Sequence, residues 1–318
     1  MNYCVNRLIK AVYEVGGWLD VVKVPLYSGP FSRKLYTQHQ LLTCLVVKTV
    51  FRLRYRELVE ILEVSDSLKR LIGLDKVPHY TTFQKFCARF PCRILHQLVS
   101  SVAGKLVSGT LSLSLDSTGF SLDTSSFHYS SRIDRMEKHR SYVKTTLAVD
   151  TRTQCVAAVK MRLKRRHDTV DAIPTLKRAG KIGKIDCVLA DRGYDSEELM
   201  QYIEHELRAK PIIALRYAKK PLKKTRGEIR KRLKKAFPEK EYHQRSKSET
   251  VNSAIKRKYD STVRARKNHT QRQEILLKIL AYNLNLVEIL QDFYRAKTNI
   301  NLLFFHSLVP YVHIFDNY

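Results

Sequence analysis

Leu111-Ser112-Leu113-Ser114-Leu115-Asp116 (residues 111–116) alternates apolar and polar side chains, the period of a strand with one buried face. The run ends on a carboxylate and is followed by Ser117-Thr118-Gly119. Val143–Val149 and Cys155–Met161 read as two more strands, with turn chemistry between them at Asp150-Thr151-Arg152-Thr153. A helix is expected from Asp168 to Ala179, closed by Gly180. Next come a short buried strand, Asp186–Ala190, a helix from Asp195 to Leu207, and a last strand, Ile212–Leu215. Strands in a meander that then alternate with helices predict an α/β domain with a mixed sheet.

Upstream the texture is helical. Between Leu41 and Leu74 apolar residues recur at three and four spacing, including Leu41, Leu45, Leu58, Ile61, Leu62, Leu68, Leu71 and Ile72. Ser65-Asp66 suits a helix start and Gly73 a stop, and Pro78 to Phe83 offers a turn and N-cap before a helix through Phe86 and Phe90. Such helices could hold a helix-turn-helix, or could only pack or dimerise. The expected organisation is an all-helical N-terminal domain over 1–108 and a mixed-sheet domain over 109–295. A C-terminal tail over 296–318 has no assignable role.

The chain has 318 residues, 58 Lys and Arg against 30 Asp and Glu, and a formal net charge of +28. Such a surplus attracts polyanions, nucleic acid above all. No run of about 18 uncharged apolar residues is present, so no membrane span is expected. The N-terminus lacks a secretory pattern, and the six cysteines form no CxxC pair, so a cytoplasmic, reduced protein near the nucleoid is expected. The basic loop 216–240 holds 12 Lys or Arg and 2 Glu, among them Lys219, Lys220, Lys223 and Lys224. Like charges so dense are expected to stay flexible until a polyanion neutralises them.

Acidic residues at strand ends are the informative minority in so basic a chain. Asp116 and Asp191 each follow an apolar strand, at the carboxyl edge where sheets present reactive groups. Asp195 reads instead as a helix N-cap answered by Glu198, and Asp168 as a cap with Asp171 three residues on. Tyr242, Arg245, Glu249 and Lys256 stand at offsets 0, 3, 7 and 14. At about 100° per residue they share an arc of roughly 60° on one helix. Arg and Lys there can hold phosphates, Glu can complete a metal site with two Asp, and Tyr can stack on a nucleotide. The plainer reading is a solvated face with an Arg245–Glu249 pair.

Leu115 to Gly119, Leu189 to Ser196, and the spacing Tyr242, Arg245, Glu249, Lys256 together resemble insertion-sequence transposases of the DDE class, in the groups called IS4 and IS5 with their Tyr-Arg-Glu-Lys signature. The resemblance implies an RNase H-like core with Asp116 on its first strand, Asp191 at its fourth and Glu249 on a later helix. These three would be the catalytic, metal-holding residues, with Mg2+ or Mn2+, and two ions in all. It further implies that Tyr242, Arg245 and Lys256 contact double-stranded DNA at the element's terminal inverted repeats, and that a homodimer acts on those ends and on target DNA. The implied activity is metal-dependent strand cleavage and strand transfer. A transposase-derived DNA-binding protein without catalysis, or an RNase H-like nuclease, are the alternatives.

Overall fold

A computed structural model describes residues 12, 14–123, 142–164 and 166–301, with side chains to residue 289. The N-terminal half of the fold contains α1 (Gln38–Val50), α2 (Tyr55–Val64), α3 (Asp66–Ile72), α4 (Tyr80–Arg89) and α5 (Cys92–Leu106). The punctuation between them is largely as expected. The Ser65 hydroxyl accepts from Leu68 N–H at the start of α3, and Gly73 ends it in the left-handed region at φ 73°. At α4 the N-cap is His79, with no side-chain cap bond.

The sheet comprises β1 (Leu111–Leu122), β2 (Tyr142–Asp150), β3 (Val156–Arg162), β4 (Ile185–Ala190) and β5 (Lys210–Ile213). The short β6 (Thr262–Val263) adds to it. Strand order is β3-β2-β1-β4-β5. The first three strands pair antiparallel, while β4 and β5 run parallel to β1. This mixed order is the RNase H-like arrangement. Between the strands lie α6 (Thr169–Ala179) and α7 (Glu197–Gln201), and after them α8 (Glu228–Lys235), α9 (Glu239–Tyr242), α10 (Ser246–Tyr259) and α11 (Asn268–Asn301).

One difference from expectation is local. The helix expected from Asp195 to Leu207 is α7 followed by one π turn, Tyr202–Glu206. Gly180 closes α6 as expected, its N–H donating to Leu176 O, though with a right-handed φ of −62°. The expected tail 296–318 lies largely outside the described residues.

Alternation gives the sheet two faces. Leu111, Leu113 and Leu115 pack with Ala172, Leu176, Val188 and Met200 from α6, β4 and α7. On the opposite face Phe120, Val143, Leu147 and Val159 share one core with the N-terminal helices, α10 and α11. The helices before residue 108 therefore bury their apolar stripes against the sheet and α11 rather than among themselves alone.

Candidate active site

The register of the sheet brings the two aspartates together, but only Asp191 follows a strand end as expected; Asp116 stands mid-strand in β1, because β2 carries the pairing on to Ser121. Parallel pairing of β1 with β4 ends at Leu115↔Ala190, so the next residue of each strand is Asp116 and Asp191. β1 continues past this point to Leu122 and is joined again at Ser121↔Thr262 by β6. Among the described residues, the edge of β1 between these two pairings, from Asp116 to Phe120, faces no strand. A sheet opened in this way presents side chains and backbone groups to a ligand while β2 still holds the strand rigid.

Asp116 is on the α10 face and is held from two directions. Its Oδ1 accepts from Ser117 N–H and its Oδ2 from Asn252 Nδ2 of α10, each at 2.8 Å. Burial raises the Asp116 pKa, and the nearby carboxylates of Asp191 and Glu249 raise it further, against the two hydrogen bonds. Asp191 begins the 3-10 turn Arg192–Tyr194, and its Oδ1 accepts from Gly193 N–H at 2.8 Å.

The backbone stays helical from Glu239 through the 3-10 turn His243–Arg245 into α10. Tyr242, Arg245, Glu249 and Lys256 consequently share a face, as their spacing requires. Arg245 pairs with Glu249 at 2.7 Å, and its guanidinium lies 5.9 Å from the Tyr242 ring centroid. Burial works to lower the Arg245 pKa, but bonding to Glu249 raises it above its usual value. Lys256 lies 5.7 Å from the Phe120 ring, and burial lowers its pKa while the Asp116 charge opposes this. Burial also raises the Tyr242 hydroxyl.

The Arg245–Glu249 pair that a plain solvated face would form is thus present, and it turns the Glu249 carboxylate toward the guanidinium. Among the described residues no three His, Cys, Asp or Glu side chains are gathered closely enough to hold an ion. The donor set nevertheless suits a hard divalent cation: all ligands are carboxylate oxygens, and Asp116 is half-buried with two like charges near it. Glu249 would have to leave Arg245 to join them, a rotation its 56% exposed side chain permits.

A further acid belongs to this region. Asp168 makes no side-chain cap bond at α6, so the capping role expected for it is incorrect. Its Oδ1 instead pairs with Lys144 Nζ of β2 at 2.6 Å, and Lys144 also donates to Arg166 O at 2.6 Å. A Cβ built on Gly193 would lie 2.9 Å from Asp191 Oδ1 and 3.2 Å from Asp168 Oδ2. The buried Tyr194 hydroxyl shares a 2.8 Å hydrogen bond with Ser117 Oγ and feels the charges of Asp168, Asp116 and Asp191. Beside β1, an open cleft of about 580 Å³ is lined by Ser117, Thr118, Lys144, Asp168 and Lys256. Lys144 and Asn252 carry no sequence signal; only the pairing of β2 and the docking of α10 reveal them.

Gly193→Ala tests this packing. The added methyl would push on the ends of two carboxylates without backbone strain, so the fold should hold. If Asp191 serves the strand cleavage that the sequence resemblance implies, misplacing it by a fraction of an ångström should lower that rate by roughly 10- to 100-fold. A cleavage rate within about twofold of wild type, in the same assay, would show that Asp191 need not keep this position.

The basic segment is more ordered than its charge suggests. Ile229 and Leu233 bury one face of α8, and Arg232 pairs with Glu204 at 2.5 Å. Arg230 binds Asp195 Oδ1 at 2.6 Å, and Arg216 N–H donates to Asp195 Oδ2 at 2.9 Å. Asp195 therefore fastens this segment rather than capping α7, whose cap is Ser196. Arg216 also donates to Arg192 O and Gly193 O, tying the segment to the turn after Asp191. Lys219, Lys220, Lys223 and Lys224 are exposed on the connecting turns, with the Lys220 ammonium 4.0 Å from the Tyr217 ring.

The family described as "Transposase DDE domain" matches residues 108–284, more than half of the chain, and the "Transposase domain (DUF772)" matches residues 7–89. No curated protein matches. A solved structure described as the piggyBac transposase synaptic complex with hairpin DNA is similar at TM-score 0.44 and 10% identity. The match covers 88% of this chain and 73% of that one. Among the described residues no helix is long and apolar enough to cross a membrane. With the family match running from the start of β1 into α11, this chain belongs to the DDE-domain transposases.

Proposed function

We propose that this DNA transposase cuts and joins DNA at the opening of β1, with Asp116, Asp191 and Glu249 as its catalytic, metal-holding residues. The observation that carries the reading is the meeting of Asp116 and Asp191 at the point where β1 and β4 part, beneath the helix that bears Glu249. Two Mg2+ ions (Mn2+ would serve) suit this all-oxygen set; when bound, such ions activate the attacking oxygen and stabilise the leaving one. Asn252 and Ser117 fix the Asp116 carboxylate, and Gly193 N–H fixes that of Asp191. As Glu249 turns toward the aspartates, Arg245 is released to pair with a phosphate of the bound strand. Lys256 adds a half-buried charge beside the same opening, and the Tyr242 ring offers a stacking surface.

The exposed Lys219, Lys220, Lys223 and Lys224 supply affinity for the phosphates of double-stranded DNA, as do the helices of the 1–108 region. Joining two terminal inverted repeats to one target requires two such sites, so the working unit is a homodimer on DNA at the nucleoid. The test is cleavage of linear duplex carrying the element's own ends with Mg2+ or Mn2+. Nicking at the element boundary supports the proposal. Tight binding without cleavage under either metal would leave a DNA-binding protein derived from a transposase. Cutting confined to RNA–DNA hybrids would leave an RNase H-like nuclease.

A further inference from the structure

A second concavity of the described fold lies away from the aspartates. It is an open cleft of about 950 Å³ along α5, reaching over edge strand β3 to the end of α6 and the start of α11. Lys23, Arg93, Lys160, Arg178, Lys181 and Arg272 line it, and no Asp or Glu does. Burial and then Arg178 depress the Lys160 pKa, Asp171 opposes them, and Arg162 and Arg272 lower it further, so these cations repel one another. Burial, then Arg178 and Lys160, lowers His96 on the same wall to about 4, which leaves it neutral at physiological pH. Arg178 is fixed by donating to Val159 O at 2.7 Å.

Six cations around one opening are unfavourable unless an anion is shared among them. The lining from Cys92 to Gly104 follows α5 for roughly 18 Å at about 1.5 Å per residue. That length matches about five steps of a duplex at 3.4 Å per phosphate along one strand. Six cations with no carboxylate among the lining residues favour a polyanion over an acyl chain or a protein helix. α6 carries Asp168 at its start and Arg178 near its end, so the cleft stands roughly 15 Å along that helix from the site.

We infer that this cleft is a second nucleic-acid site, gripping the phosphodiester backbone of duplex DNA away from the scissile strand. The inference rests on the transposase reading above. Its role is to hold the duplex while the β1 opening acts on one phosphodiester, so it contributes affinity and not chemistry.

The test is anisotropy of a labelled duplex, titrated over a salt series, with wild type and the variant Arg93→Gln/Lys181→Gln/Arg272→Gln. All three positions are exposed. If each contacts a phosphate, the slope of log affinity against log salt should fall by about 0.9 per residue, or roughly 2.7 in all. Affinity near 0.1 M salt should drop about 10- to 100-fold, while cleavage by the saturated complex keeps its rate. A wild-type slope in the variant overturns the inference and leaves the transposase reading intact. Failure of wild type to bind duplex at any salt overturns the reading itself. If the substitutions weaken binding to phosphatidylserine vesicles but not to duplex, the cleft is not a DNA site.

Discussion

Asp116→Asn is expected to abolish strand cleavage while leaving the metal-free protein at least as stable as wild type. The loss of activity follows from removing a charge that the cations need, and should reach about 10³-fold or more, equivalent to roughly 4 kcal/mol of transition-state stabilisation. The stability effect has the opposite sign because the native carboxylate is uncomfortable. Burial, with Asp191 and Glu249 nearby, raises the Asp116 pKa above its unfolded value. Stability from this group is therefore fully present below the unfolded pKa, and it is lost as pH rises through the raised folded pKa. An amide at this position cannot ionise, so the variant should melt higher at neutral pH. That advantage should vanish below the ordinary carboxylate range. The hydrogen bonds can also be kept. Asn252 Oδ1 is buried without a partner, so the amide can turn over and accept from the new Asn side chain. Thermal melts with and without divalent metal check the account: added metal should raise the midpoint of wild type and not of the variant. A variant that cuts DNA, or that melts well below wild type in the absence of metal, contradicts it.

Asn283→Leu should cause one of the largest losses of stability available from a single side chain. Asn283 is fully buried on α11. Its Oδ1 accepts from Val156 N–H at 3.0 Å, and its Nδ2 donates to Val156 O at 2.9 Å and Val99 O at 3.5 Å. One amide thus serves the first residue of edge strand β3 and ties both the sheet and α5 to α11. Leucine fits the volume but leaves the Val156 backbone groups buried and unsatisfied. At about 1–3 kcal/mol for each of the two groups, the cost is roughly 2–6 kcal/mol, or on the order of 10 °C in the melting midpoint. A shift of less than about 2 °C would show that the N-terminal helices and α11 do not depend on this tie.

How much of this was legible in sequence depended on how local each cause is. Asp116 and Asp191 could be found because strand alternation and an apolar run end on them. The face shared by Tyr242, Arg245, Glu249 and Lys256 follows from helix geometry alone, with Glu249 and Lys256 on α10. Asp195 was misread because Ser196, one residue later, is an equally good cap, whereas its true partner Arg230 is 35 residues away. Asp168 failed in the same way: a carboxylate before a helix looks like a cap until Lys144, 24 residues earlier, is seen beside it. The basic segment folds because Ile229 and Leu233, four apart, bury one face of α8, a signal masked by the surrounding Lys and Arg. The cations of the α5 cleft come from separate stretches of chain, and no spacing links them.

The most direct test of the central claim is cleavage of duplex DNA bearing the element's ends, with Mg2+ or Mn2+, by wild type and by Asp191→Ala. Under the proposed function, wild type should nick at the element boundary in a metal-dependent way. Asp191→Ala should lose it by about 10³-fold or more while still binding the same duplex. Cleavage by Asp191→Ala at a rate near that of wild type would contradict the assignment of the β1–β4 junction as the catalytic site.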